Sequence, residues 1–396
     1  MNRYACWLYS IPGIGRIRIH ALRRAFLRCY RADPRLFPSS VFRMSEKELR
    51  ALCQNGAEEG EEGARDRETL QRACPYFLAG RQREPEQAVS ACRRAGLFFV
   101  SYDDPGFPER LKRIPEPPYA LYFRGSLPEE QRPSAGVVGA RLCSAYGREQ
   151  ARRFSAALAE NGIQIVSGMA RGVDGIAQRA AMDAGGRSFA VLGCGADICY
   201  PAENGALYER LRAEGGIISE YPPGTRAEPG LFPVRNRLIA GFSDLVLLVE
   251  ARERSGSLIT CARALEQGKE VYAVPGRVCD ALSVGPNRLI RDGAGIATQA
   301  EDVIEVLLGI RGDAGAGERN PEVEEEKALS LPEPEASLYR VLEEREPCGL
   351  SEMLQGAGES LRRELRAEEA MGCMIRLELK GLVEEAGVGQ YIRRRS

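Results

Sequence analysis

Between about residues 86 and 308 the chain alternates short apolar runs with longer amphipathic stretches. The apolar runs predict strands at 97–101, 136–140, 163–167, 188–193, 216–220, 245–250 and 270–274. Several are apolar on both faces, which suits strands covered by helices on both sides of a parallel sheet. The stretches between them predict helices near 145–161, 174–184, 203–213, 233–242 and 256–267. Ser144 suits the N-cap of the first, and Gly162 and Gly268 suit helix stops. Strand and helix in this alternation make residues 86–308 a doubly wound, Rossmann-like α/β core.

The flanks are patterned differently. Residues 1–85 are helical, with Trp7, Leu8, Ile11 and Ile14 leading into Ile19, Leu22, Phe26 and Leu27, and read as a SAM-like or helix-hairpin-helix-like domain. Its IPGIG at 11–15 runs into RIRIHALRRAF. Such a turn offers backbone N–H groups to a DNA phosphate, and equally serves as a plain helix connector; both readings are open. GAEEGEEGARDRE at 56–68 is expected to be a solvated, mobile stretch. Residues 309–334, rich in glycine, proline and acid, are expected to form a linker without a core. Residues 335–396 give three helical patterns and two strand-like runs around AGVG, the outline of a winged helix. Arg362, Arg363, Arg366, Arg393, Arg394 and Arg395 favour nucleic acid there, Glu364, Glu368 and Glu369 a protein contact, and the choice stays open.

Composition then narrows the function classes. No apolar run approaches the roughly 18 residues of a membrane span. The opening MNRYACWLYSIPGIG lacks a basic segment followed by an apolar core, so a cytoplasmic protein is expected. Twelve cysteines are scattered from Cys6 to Cys373 with no CxxC pair, which fits reduced thiols. His20 is the only histidine, which excludes Ser-His-Asp triads, Cys-His dyads and His-based zinc sites elsewhere in the chain; neither metal nor cofactor is expected. The formal charge of -1 hides asymmetry: residues 1–35 carry eight arginines against Asp33, and residues 313–335 carry eight acids against Arg319 and Lys327. Only five of the 55 basic residues are lysines, for which genomic base composition is the plain explanation.

In a doubly wound sheet, ligands bind beyond the carboxyl ends of the strands. The residues there are GAR at 139–141, SGMARGVD at 167–174, GCGAD at 193–197 and EARERSGSLIT at 250–260, with YPPGTRAEPGLFPVRNR at 221–237 joining them. Arg141, Arg171, Arg235 and Arg237 are expected to converge on one rim with Ser167, Ser255 and Ser257, while Gly168, Gly172, Gly193, Gly195 and Gly256 let backbone approach a phosphate. There is no GxxxxGK[ST] loop and no GxGxxG fingerprint, so neither a P-loop nucleotide site nor a dinucleotide site follows. Asp174, Asp197, Glu220 and Glu250 are the acids available at the rim, as caps and ion pairs or as catalysts. Phe232, inside an arginine-rich loop, suits either base stacking or the core.

Taken in order, VVGAR, SGMARGVDGIAQRAAM, AVLGCGADICYP, ISEYPPG, FPVRNRLIAGFS, LLVEARERSGSLIT, VYAVPG and PNRLIRDGA resemble the DprA/Smf family of DNA-processing proteins over about residues 95–305. The resemblance implies a non-enzymatic bacterial protein that binds and protects single-stranded DNA during natural transformation, loads the RecA recombinase onto it, and acts as a homodimer. Carried over by position, it assigns the DNA pocket to Arg141, Ser167, Gly168, Arg171, Phe232, Arg235, Asn236 and Arg237, the rim to Ser255, Gly256 and Ser257, and a structural cap to Asp174. Where the family commonly has histidine, in a GIDxxAH pattern, this chain has Gln178, which keeps hydrogen bonding without acid–base chemistry. The alternative is a nucleotide-processing phosphoribohydrolase of the lysine-decarboxylase-like class, whose PGGxGTxxE motif corresponds here to EARERSGSLIT with Thr260 at the glutamate position.

Overall fold

A computed structural model describes residues 1–58, 60–315, 331–342, 348–361, 365–380, 382–387 and 390–393, which divide into a unit Met1–Asp313 and a unit Ala314–Ser396. The first unit opens with six helices: α1 (Arg3–Ser10), α2 (Arg16–Tyr30), α3 (Phe37–Arg43), α4 (Glu46–Asn55), α5 (Glu61–Gly80) and α6 (Pro85–Arg94). They do not keep a core to themselves. Trp7, Leu8, Phe26, Phe37 and Phe77 share one apolar cluster with Tyr119, Tyr122, Leu192 and Ile217 of the sheet region.

The stretch expected to be mobile at 56–68 instead enters α5. Glu61 and Glu62 lie in its first turn, where a helix dipole favours acids, Arg24 pairs with Asp66 at 2.6 Å, and Leu70, Ala73, Cys74 and Phe77 are buried. The acidic composition describes only the outer face of a helix whose other face is packed.

The remainder follows the alternating pattern: β1 (Phe98–Ser101), α7 (Glu109–Lys112), β2 (Ala120–Gly125), β3 (Ser134–Val138), α8 (Ala145–Glu160), β4 (Gln164–Ser167), α9 (Val173–Asp183), β5 (Ser188–Val191), α10 (Gly205–Glu214) and β6 (Gly216–Ser219). After these come α11 (Leu231–Phe242), β7 (Leu245–Leu248), α12 (Gly256–Glu266), β8 (Glu270–Ala273), α13 (Val284–Arg291), β9 (Gly295–Ile296) and α14 (Glu301–Gly315). Ser144 caps α8 by accepting the Gly147 N–H, and Gly162 and Gly268 follow their helices at φ +74° and +68°.

The nine strands form one sheet in the order β1-β2-β6-β5-β4-β3-β7-β8-β9. Strands β3 to β6 run outward one way and β7 and β8 the other, so the switch of direction falls between β3 and β7. That is the crevice where an open α/β sheet takes its ligand. The sheet is not wholly parallel: β1 and β2, and β2 and β6, pair antiparallel. β2 and β9 escape the sequence pattern because β2 is a single short run in a proline-rich approach and β9 has two residues. Phe154, Val173 and Ile304 pack with Val137, Ile165 and Leu247 in one cluster, and Leu238, Phe242 and Cys261 pack with Val138, Val166 and Leu248 in another.

α14 continues to Gly315, into the predicted linker, because Val303, Ile304 and Leu307 anchor it in the core. The rest of that linker to residue 330 lies outside the described residues. The second unit has α15 (Glu335–Val341), α16 (Leu350–Leu361) and α17 (Ala367–Leu379), with β10 (Cys348–Gly349), β11 (Val383–Gly387) and β12 (Gln390–Arg393) in an antiparallel sheet ordered β10-β12-β11. Leu338, Met353, Ala370, Met374 and Leu377 form its core, and Glu335 receives Arg376 and Lys380, each at 2.6 Å. Arg362, Arg363, Glu364, Arg394 and Arg395 lie outside the described residues. No helix among the described residues is long and apolar enough to cross a membrane.

Candidate nucleic-acid interface

At the switch point lies a cavity of about 580 Å³, lined by the residues after β3, the start of α11 and the turn into α12. Two turns build its floor. Gly172 sits at φ +71°, and a Cβ there would lie 2.3 Å from the Ala140 carbonyl oxygen, so only glycine lets the turn after β4 close onto the one after β3. A Cβ on Gly168 would meet the Arg235 guanidinium at 2.6 Å and the Asp174 carboxylate at 2.7 Å. The chain therefore packs directly against a buried acid and a buried base.

Arg235 is buried and donates to the Gly168 carbonyl at 3.1 Å and to the Val191 carbonyl, tying the ends of β4 and β5 to α11. Asp174 accepts the Gly168 N–H at 3.1 Å. Burial pushes the Asp174 carboxyl up while Arg235 holds it down, and burial lowers the Arg235 guanidinium to about 10 against the pull of Asp174. Each charge favours the other beneath the cavity, though burial dominates both shifts.

Above this floor the chemistry changes. Phe232 is half-buried, its ring 5.4 Å from that of Tyr200 at 34°, with the Arg141 guanidinium 5.6 Å and that of Arg235 5.9 Å from its centroid. Arg141, Arg252 and Arg254 are exposed around the opening, and no side-chain ion pair among the described residues holds them. Ser255 caps α12 by accepting the Ser257 N–H, so the positive end of that helix also meets the cavity. Asn236 lines it while donating to the Gly256 carbonyl at 3.2 Å. Among the described residues, the one acid in the lining is Asp174, which accepts the Gly168 N–H. The site is thus cationic at its rim and aromatic within.

A profile of the family described as DNA recombination-mediator protein A matches residues 98–308. The chain belongs to that family. DNA processing protein DprA of Streptococcus pneumoniae is 41% identical over 236 residues, covering 54% of this chain and 83% of that protein. Protein Smf of Escherichia coli is 35% identical over 326 residues, covering 82% and 84%. The X-ray structure of the S. pneumoniae DprA superposes with a TM-score of 0.63 and 29% identity, over 77% of this chain and 98% of that one. The role that comes with membership is that of a DNA-processing recombination mediator.

Within this recombination-mediator core the expected site residues separate. Arg141, Phe232, Arg235, Asn236, Ser255, Gly256 and Ser257 line the common cavity, with Gly168 directly beneath. Arg237 does not reach the rim: it is 3% exposed and grips Glu220 through two nitrogens at 3.0 and 2.6 Å, with Nε on the Glu116 carbonyl. Two positions along a helix from Arg235 the side chain points to another face, so neighbouring arginines part company. The Ser167 hydroxyl is buried and donates to the Val137 carbonyl at 2.6 Å, so it acts as a bond between strands. Arg171 is exposed but lies outside the lining, paired with Glu203. Asp174 stands second in α9, whose N-cap is Gly172, so it caps the preceding turn rather than the helix.

The other acids are also engaged. Glu250 accepts the Ser144 N–H at 2.8 Å and its hydroxyl, fixing the start of α8, and Asp197 accepts the Gly224 N–H. Tyr200, Arg252 and Arg254 are among the lining residues that the sequence reading passed over. Tyr200 follows β5 in CYP, and the strand-end rule applied to aromatics as well as glycines would have marked it.

Proposed function

We propose that this recombination mediator binds single-stranded DNA at the β3/β7 crevice, protects it, and presents it to the RecA recombinase during natural transformation. The observation that carries the reading is the Tyr200–Phe232 pair set among Arg141, Arg252 and Arg254. Arginines with no ion pair among the described residues neutralise a backbone, and rings that reach the cavity stack on bases that a duplex keeps inside. Arg141, Phe232, Asn236, Gly256 and Ser257 are the contacts in this reading, with Gly168, Asp174 and Arg235 as their support. A cytoplasmic homodimer with a winged helix at residues 335–396 completes it. The phosphoribohydrolase alternative has less behind it, since Glu250 is committed to the α8 cap and Thr260 is buried.

An oligonucleotide incubated with the protein is expected to resist a single-strand exonuclease, with a light-scattering mass of two chains per complex or more, while nucleoside monophosphates stay intact. Unprotected oligonucleotide alongside release of free base would refute the reading.

A further inference from the structure

Leu142 lines the cavity one residue beyond Arg141 and is 84% exposed, on an edge it shares with Arg252 and Arg254. Tyr200 and Ile259, 43% and 37% exposed, share the lining. A leucine on a freely moving loop would be unremarkable there, since single exposed apolar residues are common. This one is held from both sides. The Ala140 carbonyl accepts the Val173 N–H at 3.2 Å, and the Ser144 N–H is fixed on the Glu250 carboxylate at 2.8 Å. Between these anchors the turn that carries Leu142 has little freedom.

On the single-strand reading above, we infer that Leu142 is an unstacking wedge: it enters between two successive bases and hands one of them to the Tyr200–Phe232 pair. Bases in a single strand stack on one another, so a ring cannot accept a base face until that stack opens. An apolar side chain inserted at a base step opens it, as in proteins that kink duplexes. Leu142 has the features this needs: no hydrogen-bonding group to satisfy, a backbone fixed before the ligand arrives, and a cation next to it for the adjoining phosphate. The inference makes the site selective for strands whose bases separate easily. Pyrimidine tracts, which stack weakly, are held better than adenine tracts.

The test uses the full chain and an oligonucleotide carrying 2-aminopurine, whose fluorescence rises when its neighbours move off it. Wild type is expected to raise the signal severalfold on binding and to prefer oligo-dT to oligo-dA. Leu142→Ala, at an exposed position that leaves folding alone, is expected to bind about three- to tenfold more weakly. It should keep the wild-type salt dependence and lose most of the fluorescence gain and the dT preference. Leu142→Met, which retains an apolar wedge, restores both. A gain in Leu142→Ala equal to wild type at saturating protein overturns the wedge while leaving the single-strand site standing. No binding by wild type overturns the single-strand reading itself.

Discussion

Arg237→Ala distinguishes a residue that supports the site from one that belongs to it. Arg237 and Glu220 are each 3% exposed and joined by two bonds, and Arg237 also holds the Glu116 backbone, which in turn pairs through its side chain with Arg16 of α2. Removing the guanidinium strands a buried carboxylate, and losses of this kind run to about 3–5 kcal/mol. At about 2 °C per kcal/mol for a unit of this size, the melting temperature is expected to fall by roughly 6–10 °C. Glu220→Ala should cost a similar amount, and the double variant clearly less than the two together, because neither charge is then left alone. Differential scanning calorimetry supplies the melting temperatures, and oligonucleotide binding well below the transition supplies the salt slope, which should match wild type. A shift under 2 °C combined with a shallower slope would refute the argument and return Arg237 to the rim.

Other consequences are equally open to measurement. Arg141→Ala should leave the melting temperature unchanged and reduce the slope of log affinity against log salt by about 0.7, whereas Phe232→Ala should keep the slope and cost about 1–3 kcal/mol of binding. His20 sits between Tyr102 and Tyr119 with its Nε2 3.2 Å from the Pro117 carbonyl, and burial, aided by Arg23 and Arg24, lowers its pKa to about 4. The unfolded chain therefore takes up a proton below about pH 6.5 that the folded chain refuses. Stability present above that pH is lost as the pH falls toward 4, by up to about 3 kcal/mol, and His20→Phe should flatten that part of a pH-dependent unfolding curve. Gln178 is buried and its side-chain amide has no hydrogen-bond partner among the described residues, so Gln178→Met should raise stability by about 1–2 kcal/mol in thermal melts with DNA binding unaffected; a destabilised variant would refute this.

Much of the architecture was legible because strands buried on both faces leave continuous apolar runs, as in LVLL and SAGVV. What escaped was short or contextual. β2 joins the sheet by antiparallel pairing with its neighbour β1 and with β6, which lies far from it in sequence, where an alternating pattern of strand and helix leads to parallel partners. The α5 segment reads as solvent-borne until α2 supplies the partner for Asp66. At the site, glycines and arginines marked the correct strand ends, but sequence cannot say which way an arginine points. Arg235 and Arg237 look equivalent in FPVRNR, yet one braces the cavity floor and the other is locked to Glu220 on another side of α11. Conversely Arg252 and Arg254, in EARERSG, were not among the expected site residues and stand exposed at the opening.

The central claim is that three arginines with no ion pair among the described residues, and an aromatic pair, make this crevice a single-strand site. Its most direct test is the affinity of one fluorescent oligonucleotide, single-stranded and annealed to its complement, across a salt series. The account predicts tighter binding of the single strand, with a slope of about -2 from Arg141, Arg252 and Arg254 at about 0.7 each. Equal affinity for the duplex, or a slope near zero, would contradict it.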